Sequence, residues 1–206
     1  MSATVTPLLI VISAPSGAGK TTLCNGVLAG DAQVSRAITC TTRAPRLGEQ
    51  PGVDYYFLSV AEFEQRAAVG EFLEHATVHG NRYGTLKVEV LNRLRAGRDV
   101  LLNIDVQGAA SIRAAASREP ELARALVSVF LTTPSLTELE SRLRNRNQDA
   151  PEVIERRVKV ARQELAEWVH FDYLILSGSK DEDLRRMQAI LVAERIRQTR
   201  ALPPVF

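Results

Sequence analysis

Leu8-Leu9-Ile10-Val11-Ile12-Ser13-Ala14-Pro15-Ser16-Gly17-Ala18-Gly19-Lys20-Thr21 is the stretch that decides the fold. Its first half, 8–13, is a continuous apolar run, as a strand buried on both faces requires. Residues 20–29 then read as a helix, with Leu23, Val27 and Leu28 on one side and Gly30 at the stop. Between strand and helix lies a turn with two glycines, a lysine and a hydroxyl residue. It matches the phosphate-loop pattern at Gly19, Lys20 and Thr21, with Ala14 in place of the first glycine.

Strand and helix signals alternate downstream. Strands are expected over 34–39, 99–105, 126–131 and 173–176. Helices are expected over 86–96 and 107–116, from the capping box Ser135-Leu136-Thr137-Glu138 to about 145, from Pro151 to about 169, and over 181–200. That alternation predicts a parallel α/β sheet with right-handed crossovers. One segment breaks the rhythm. Residues 41–52 hold two prolines and two glycines and read as an exposed loop. Short strands near 55–58, 72–78 and 82–85, with a short helix opened by Ser59-Val60-Ala61-Glu62, read as an inserted α+β subdomain.

The chain has 206 residues and is 45% hydrophobic, enough for one large domain with a substantial core. It carries 26 basic against 24 acidic residues, a balance that argues against non-specific nucleic-acid binding. Only Lys20, Lys87, Lys159 and Lys180 are lysines; the excess of arginine reads mainly as compositional. Cys24 and Cys40 offer neither a disulfide framework nor zinc spacing, which fits a cytoplasmic protein. The run 8–12 is too short for a signal peptide or membrane span, and no membrane partner is expected. His75, His79 and His170 form no metal motif.

The loop at Ala14, Pro15, Ser16, Gly17, Ala18, Gly19, Lys20 and Thr21 is expected to hold a nucleoside triphosphate. Gly17 and Gly19 allow backbone angles that turn successive N–H groups toward phosphate oxygens. The helix start adds positive potential. Lys20 is expected at the β- and γ-phosphates and the Thr21 hydroxyl at a magnesium ion.

A phosphate loop alone does not separate a GTPase, an ATPase and a small-molecule kinase. The next loop reads Thr39-Cys40-Thr41-Thr42-Arg43-Ala44-Pro45-Arg46-Leu47-Gly48-Glu49. Two arginines three apart, stiffened by Pro45, form either a bidentate anion clamp or an ordinary solvated loop. Taken with the phosphate loop, Phe72-Leu73-Glu74-His75-Ala76, Gly80-Asn81-Arg82-Tyr83-Gly84-Thr85 and Ile104-Asp105-Val106-Gln107-Gly108, this loop resembles the guanylate kinases. The likeness runs in order through the arginine-rich 142–148 to the C-terminal helix and covers nearly the whole chain.

The resemblance implies an α/β P-loop kinase with a parallel five-stranded core sheet flanked by helices. It implies a core (about 7–38, 97–131 and 165–206), an inserted α+β GMP-binding subdomain (about 39–96) and a helical lid (about 132–164). The implied reaction is transfer from ATP, with Mg2+, to GMP, with dGMP a further expected acceptor. Carried over, Arg43, Arg46, Tyr55 and Tyr83 hold the GMP phosphate. Glu74 faces guanine, helped by Thr39, Thr85 and Asp105. Arg142, Arg146 and Arg157 belong to the lid and join Lys20 at the transferring phosphoryl. The chemistry of Glu74 is consistent with this. Guanine offers two adjacent donors, N1–H and the 2-amino group, that one carboxylate accepts; adenine does not.

This chain departs from the family in places. Asn103-Ile104-Asp105 stands where Asp-x-Asp is usual, which removes a charge near the expected metal. Asn145 and Asn147 stand where glycine is common, and Ser177-Gly178 replaces a usual Asn-Asp. Two alternatives remain: a ribose bisphosphate phosphokinase-like enzyme, and a catalytically weak binding module. The Asn-Lys-x-Asp motif of GTPase switches is absent from the sequence. Oligomeric state is not written in the sequence.

Overall fold

The computed structural model describes residues 5–78, 80–145 and 151–202. Its larger sheet has five parallel strands in the order β2-β7-β1-β8-β9. These are β1 (Leu9–Ser13), β2 (Val34–Arg36), β7 (Asp99–Asn103), β8 (Leu126–Thr132) and β9 (Tyr173–Leu176). β1 lies at the centre and every residue in it is buried, which is why its sequence is apolar without alternation.

Helices cover both faces. On one, Ile10 and Ile12 pack with Leu23 and Val27 of α1 (Lys20–Gly30) and Met187 and Leu191 of α8 (Lys180–Arg195). On the other, Leu9, Val11, Val100 and Leu102 pack with Val90 and Leu94 of α3 (Lys87–Arg95) and Ile112 of α4 (Val106–Ala116). Each such side chain contributes about 1.5–3 kcal/mol by leaving water.

The smaller sheet runs β4-β3-β6-β5: β3 (Thr39–Thr41), β4 (Tyr55–Phe57), β5 (Phe72–Val78) and β6 (Asn81–Leu86). β3 pairs with β4 in parallel, and the other pairings are antiparallel. α2 (Val60–Ala68) covers it and begins at the expected capping box of Ser59 and Glu62. Phe63 of α2 stacks on Phe72 with ring centroids 4.4 Å apart.

Four expected elements change. The single strand at 34–39 is two strands in different sheets: Val34–Arg36 joins the large sheet and Thr39–Thr41 the small one. Between them the Ile38 N–H donates to Glu89 at 3.0 Å, so the chain crosses over without a turn residue to mark it. The strand at 99–105 stops at Asn103, because Asp105 accepts the Gly108 N–H at 2.8 Å and caps α4. The helix expected from Pro151 to about 169 is α7 (Pro151–Leu165) followed by a 3₁₀ turn, Ala166–His170. The final helix ends at Arg195, not 200; Arg200 folds back and donates to the carbonyls of Arg124 and Leu126. α5 (Pro120–Ala125) was not anticipated. Six residues are too few for a period to show, and proline at its start is the one cue. α6 (Leu136–Arg144) starts where expected, with Ser135 accepting the Glu138 N–H.

Candidate active site

The loop after β1 is shaped by backbone geometry. Gly17 and Gly19 have φ of 97° and 101°, in the region that favours glycine. Gly19 is the N-cap of α1, and no side chain caps that helix. Its first N–H groups are therefore available to an anion, with the helix field behind them. α6 closes over the loop: a Cβ added at Gly17 would lie 2.9 Å from Leu143. Ala14 and Ala18 are buried, and Thr21 is exposed in the first turn of α1.

Lys20 is drawn inward, donating from Nζ to the Ile104 carbonyl at 2.6 Å, just past the end of β7. Burial lowers its pKa, while Cys24, Asp105 and Glu164 pull the other way. A desolvated cation at the mouth of an uncapped helix is an electrostatic trap for phosphate.

A cleft of about 800 Å³ runs from this loop to the small sheet. Ser16 and Lys20 line the loop end, and Asn103 and Asp105 lie along the β7–α4 junction. Thr39, Tyr55, Glu74 and Tyr83 line the small-sheet end, and Arg157 of α7 lines the same cleft.

Glu74 is the most specialised of these side chains. It is 7% exposed on β5, and its Oε1 accepts the Thr85 hydroxyl at 2.6 Å. Burial raises its pKa and the Asp105 charge adds to this; the Thr85 bond opposes both. Its Oε2 approaches α4 so closely that a Cβ at Gly108 would sit 3.0 Å away. Tyr55 and Tyr83 meet edge to face with centroids 6.2 Å apart.

Arg43 and Arg46 share one carboxylate. Glu49 takes the Arg43 guanidinium at 2.8 Å and the Arg46 backbone N–H at 2.7 Å. The Arg43 guanidinium lies 5.5 Å from the Tyr55 ring centroid, beside the cleft, whereas Arg46 is exposed and does not line it. Arg142 is also outside the cleft: it donates to Glu138 at 2.6 Å and to the Ser177 hydroxyl at 2.9 Å. Arg144 pairs with Glu140 and turns away, as its helical position implies. Arg146, with His79, lies outside the described residues.

Three charged cleft residues were not singled out from sequence. Arg36 ends β2. Arg156 and Glu164 lie on α7. Burial raises the Glu164 pKa and Asp105 adds to the rise; Lys20 and the Ser16 backbone N–H act against it. The spacing 153, 156, 157, 160, 164 marks one face of α7, a signal that becomes readable once that face is known to front the cleft.

Among the described residues no group of three or more His, Cys, Asp or Glu could hold a metal. The oxygen donors present, the Thr21 hydroxyl and the Asn103 and Asp105 side chains, suit a magnesium ion carried largely by nucleotide phosphates. No described helix is long and apolar enough to cross a membrane.

The guanylate kinase family model matches residues 6–194. A guanylate kinase from Paramagnetospirillum magneticum is 44% identical over 193 residues, covering 94% of this chain and 87% of the relative. One from Aromatoleum aromaticum is 47% identical over 189 residues, covering 92% and 89%. The crystal structure of guanylate kinase from Anaplasma phagocytophilum superposes with a TM-score of 0.73 at 30% identity, covering 96% of this chain and 90% of that one. With the uncapped phosphate loop and a buried, guanine-compatible carboxylate at opposite ends of one cleft, the chain belongs to the guanylate kinase family.

Proposed function

We propose that this chain transfers the γ-phosphoryl group of ATP to GMP, giving ADP and GDP. One observation carries the reading: Lys20 and Glu74 line the same cleft, so a triphosphate at the loop and a guanine at the small sheet lie within reach of each other. The division into core, acceptor-binding insertion (39–96) and lid (132–164) follows from it, supported by the separate small sheet.

The acceptor phosphate is the nucleophile. Its second pKa, near ~6, leaves it mostly dianionic at neutral pH, so no general base is needed. An oxygen of that phosphate forms a bond to the γ-phosphorus as the bond to the β-phosphate oxygen breaks and ADP leaves. The protein aligns two polyanions and neutralises charge. Loop N–H groups and Lys20 hold the donor. Arg43, Arg46, Tyr55 and Tyr83 hold the acceptor phosphate. Glu74 accepts from guanine N1–H and the 2-amino group, with Thr39, Thr85 and Asp105 around it. Arg142, Arg146 and Arg157 serve the transferring group; for Arg142 this means exchanging Glu138 and Ser177 for phosphate oxygens. Thr21, with Asn103 and Asp105 at hand, would hold a magnesium ion carried by the nucleotide, which would supply charge neutralisation at the phosphates.

A coupled assay with ATP and GMP, dGMP, AMP or a ribose bisphosphate tests this. Turnover with GMP and dGMP is expected. Turnover with the ribose bisphosphate in place of GMP would overturn it, as would no turnover at all.

A further inference from the structure

Arg36 terminates β2, an edge strand of the large sheet, and stands where the chain leaves that sheet for the small one. In an open parallel sheet the carboxyl ends of the strands border the ligand crevice. Arg36 obeys that rule and lines the cleft. Its guanidinium lies 5.9 Å from the Tyr55 ring centroid, and that of Arg43 lies 5.5 Å from the same centroid. Two cations thus flank one tyrosine at the acceptor end.

Their charges are not equivalent. Arg43 is paired with Glu49 at 2.8 Å, so the two together are near neutral. Arg46 contributes its backbone N–H to the same carboxylate. Among the described residues no carboxylate forms an ion pair with Arg36, and its side chain is exposed at the rim. Of the two guanidinium groups beside Tyr55, a dianionic phosphate monoester meets Arg43 already paired and Arg36 uncompensated. The second supplies net attraction, because its charge is not already spent on a neighbour.

From this we infer that Arg36 is an acceptor-binding residue, donating to the phosphate of the nucleoside monophosphate from the large-sheet side, opposite the Arg43 loop. The inference rests on GMP being the acceptor. Its effect falls on capture of the acceptor, because Arg36 lies at the small-sheet end and not at the loop that grips the donor.

Steady-state kinetics on the whole chain test it, with Arg36→Gln, Arg36→Lys and, as a charge control elsewhere on the surface, Arg118→Gln. Arg36→Gln should raise KM for GMP about tenfold, the scale of one charge-assisted contact discounted for exposure. Its kcat and KM for ATP should stay within about twofold, and KM for GMP should become less sensitive to salt. Arg36→Lys should recover most of the loss. An unchanged KM for GMP in Arg36→Gln, with wild type active on GMP, overturns this role alone. So does an equal rise in Arg118→Gln. Wild type inactive on GMP overturns the acceptor assignment beneath it as well.

Discussion

The two ends of the cleft are built in different ways. The proposed donor end is one contiguous segment whose binding groups are mostly backbone: an uncapped helix start, two glycines at positive φ, and one half-buried lysine. The acceptor end is assembled from side chains on four strands and a loop, and several are already engaged with a neighbour: Glu74 with Thr85, Arg43 with Glu49, Tyr55 with Tyr83. A backbone cradle recognises phosphate in general, since every residue has an N–H to offer. A set of committed side chains recognises one ligand, because any other leaves a buried polar group unpaired. On the proposed function, generic grip and specific choice are therefore separated along the cleft.

The sharpest break of that separation is Lys20→Met. It should cut kcat by roughly 10³ or more, the scale of losing a preorganised cation at the transferring group. GMP binding measured by calorimetry should change little. Loss of GMP binding in this variant would mean that the two ends are not separable.

Glu74→Gln sharpens the contrast through stability. Folding raises the Glu74 pKa above its ordinary 4.5, so the folded state favours the protonated acid. The stability this gives is full below about pH 4.5 and is lost as pH rises through the raised value. Above the raised value the ionised side chain costs stability, a cost that the proposed guanine binding would justify. Glu74→Gln removes that charge and keeps an acceptor for Thr85. Its Tm at pH 7 should rise by on the order of a few degrees, and the difference from wild type should vanish near pH 4. A fall in Tm at pH 7 would show that the Thr85–Glu74 bond outweighs the burial.

The smallest effect is expected at Asn103, which lies between the two ends. Asn103→Asp adds a charge beside Asp105, where magnesium-bound phosphates are expected. Activity at low magnesium should rise by no more than about threefold, because the phosphates themselves carry most of the metal. A sharp loss would give the amide a role of its own.

The same contrast explains what the sequence disclosed. Residues 14–21 are legible because strand, glycines and helix are contiguous and each has a local cause. Strands 72–78 and 173–176 are found with their observed bounds, since each is a β-rich run between clear breaks. The crossing at Ala37 and Ile38 is invisible: an apolar run reads the same whether it stays in one sheet or changes to another. Glu74 was found by its motif and not by any local pattern. Arg36 and Glu164 depend on which ends and faces front the cleft, which is tertiary information. For Arg142, the i,i+4 spacing to Glu138 was the available signal for the ion pair it makes.

The central claim is that Glu74 chooses the acceptor, and the most direct test is the ratio of kcat/KM for GMP to that for AMP in wild type and in Glu74→Gln. Wild type should prefer GMP by about 10⁴ or more. In Glu74→Gln the ratio should fall by about 10² or more, mainly through lost GMP activity, as the amide replaces one acceptor with a donor. An unchanged ratio would contradict the account and move guanine recognition elsewhere in the cleft.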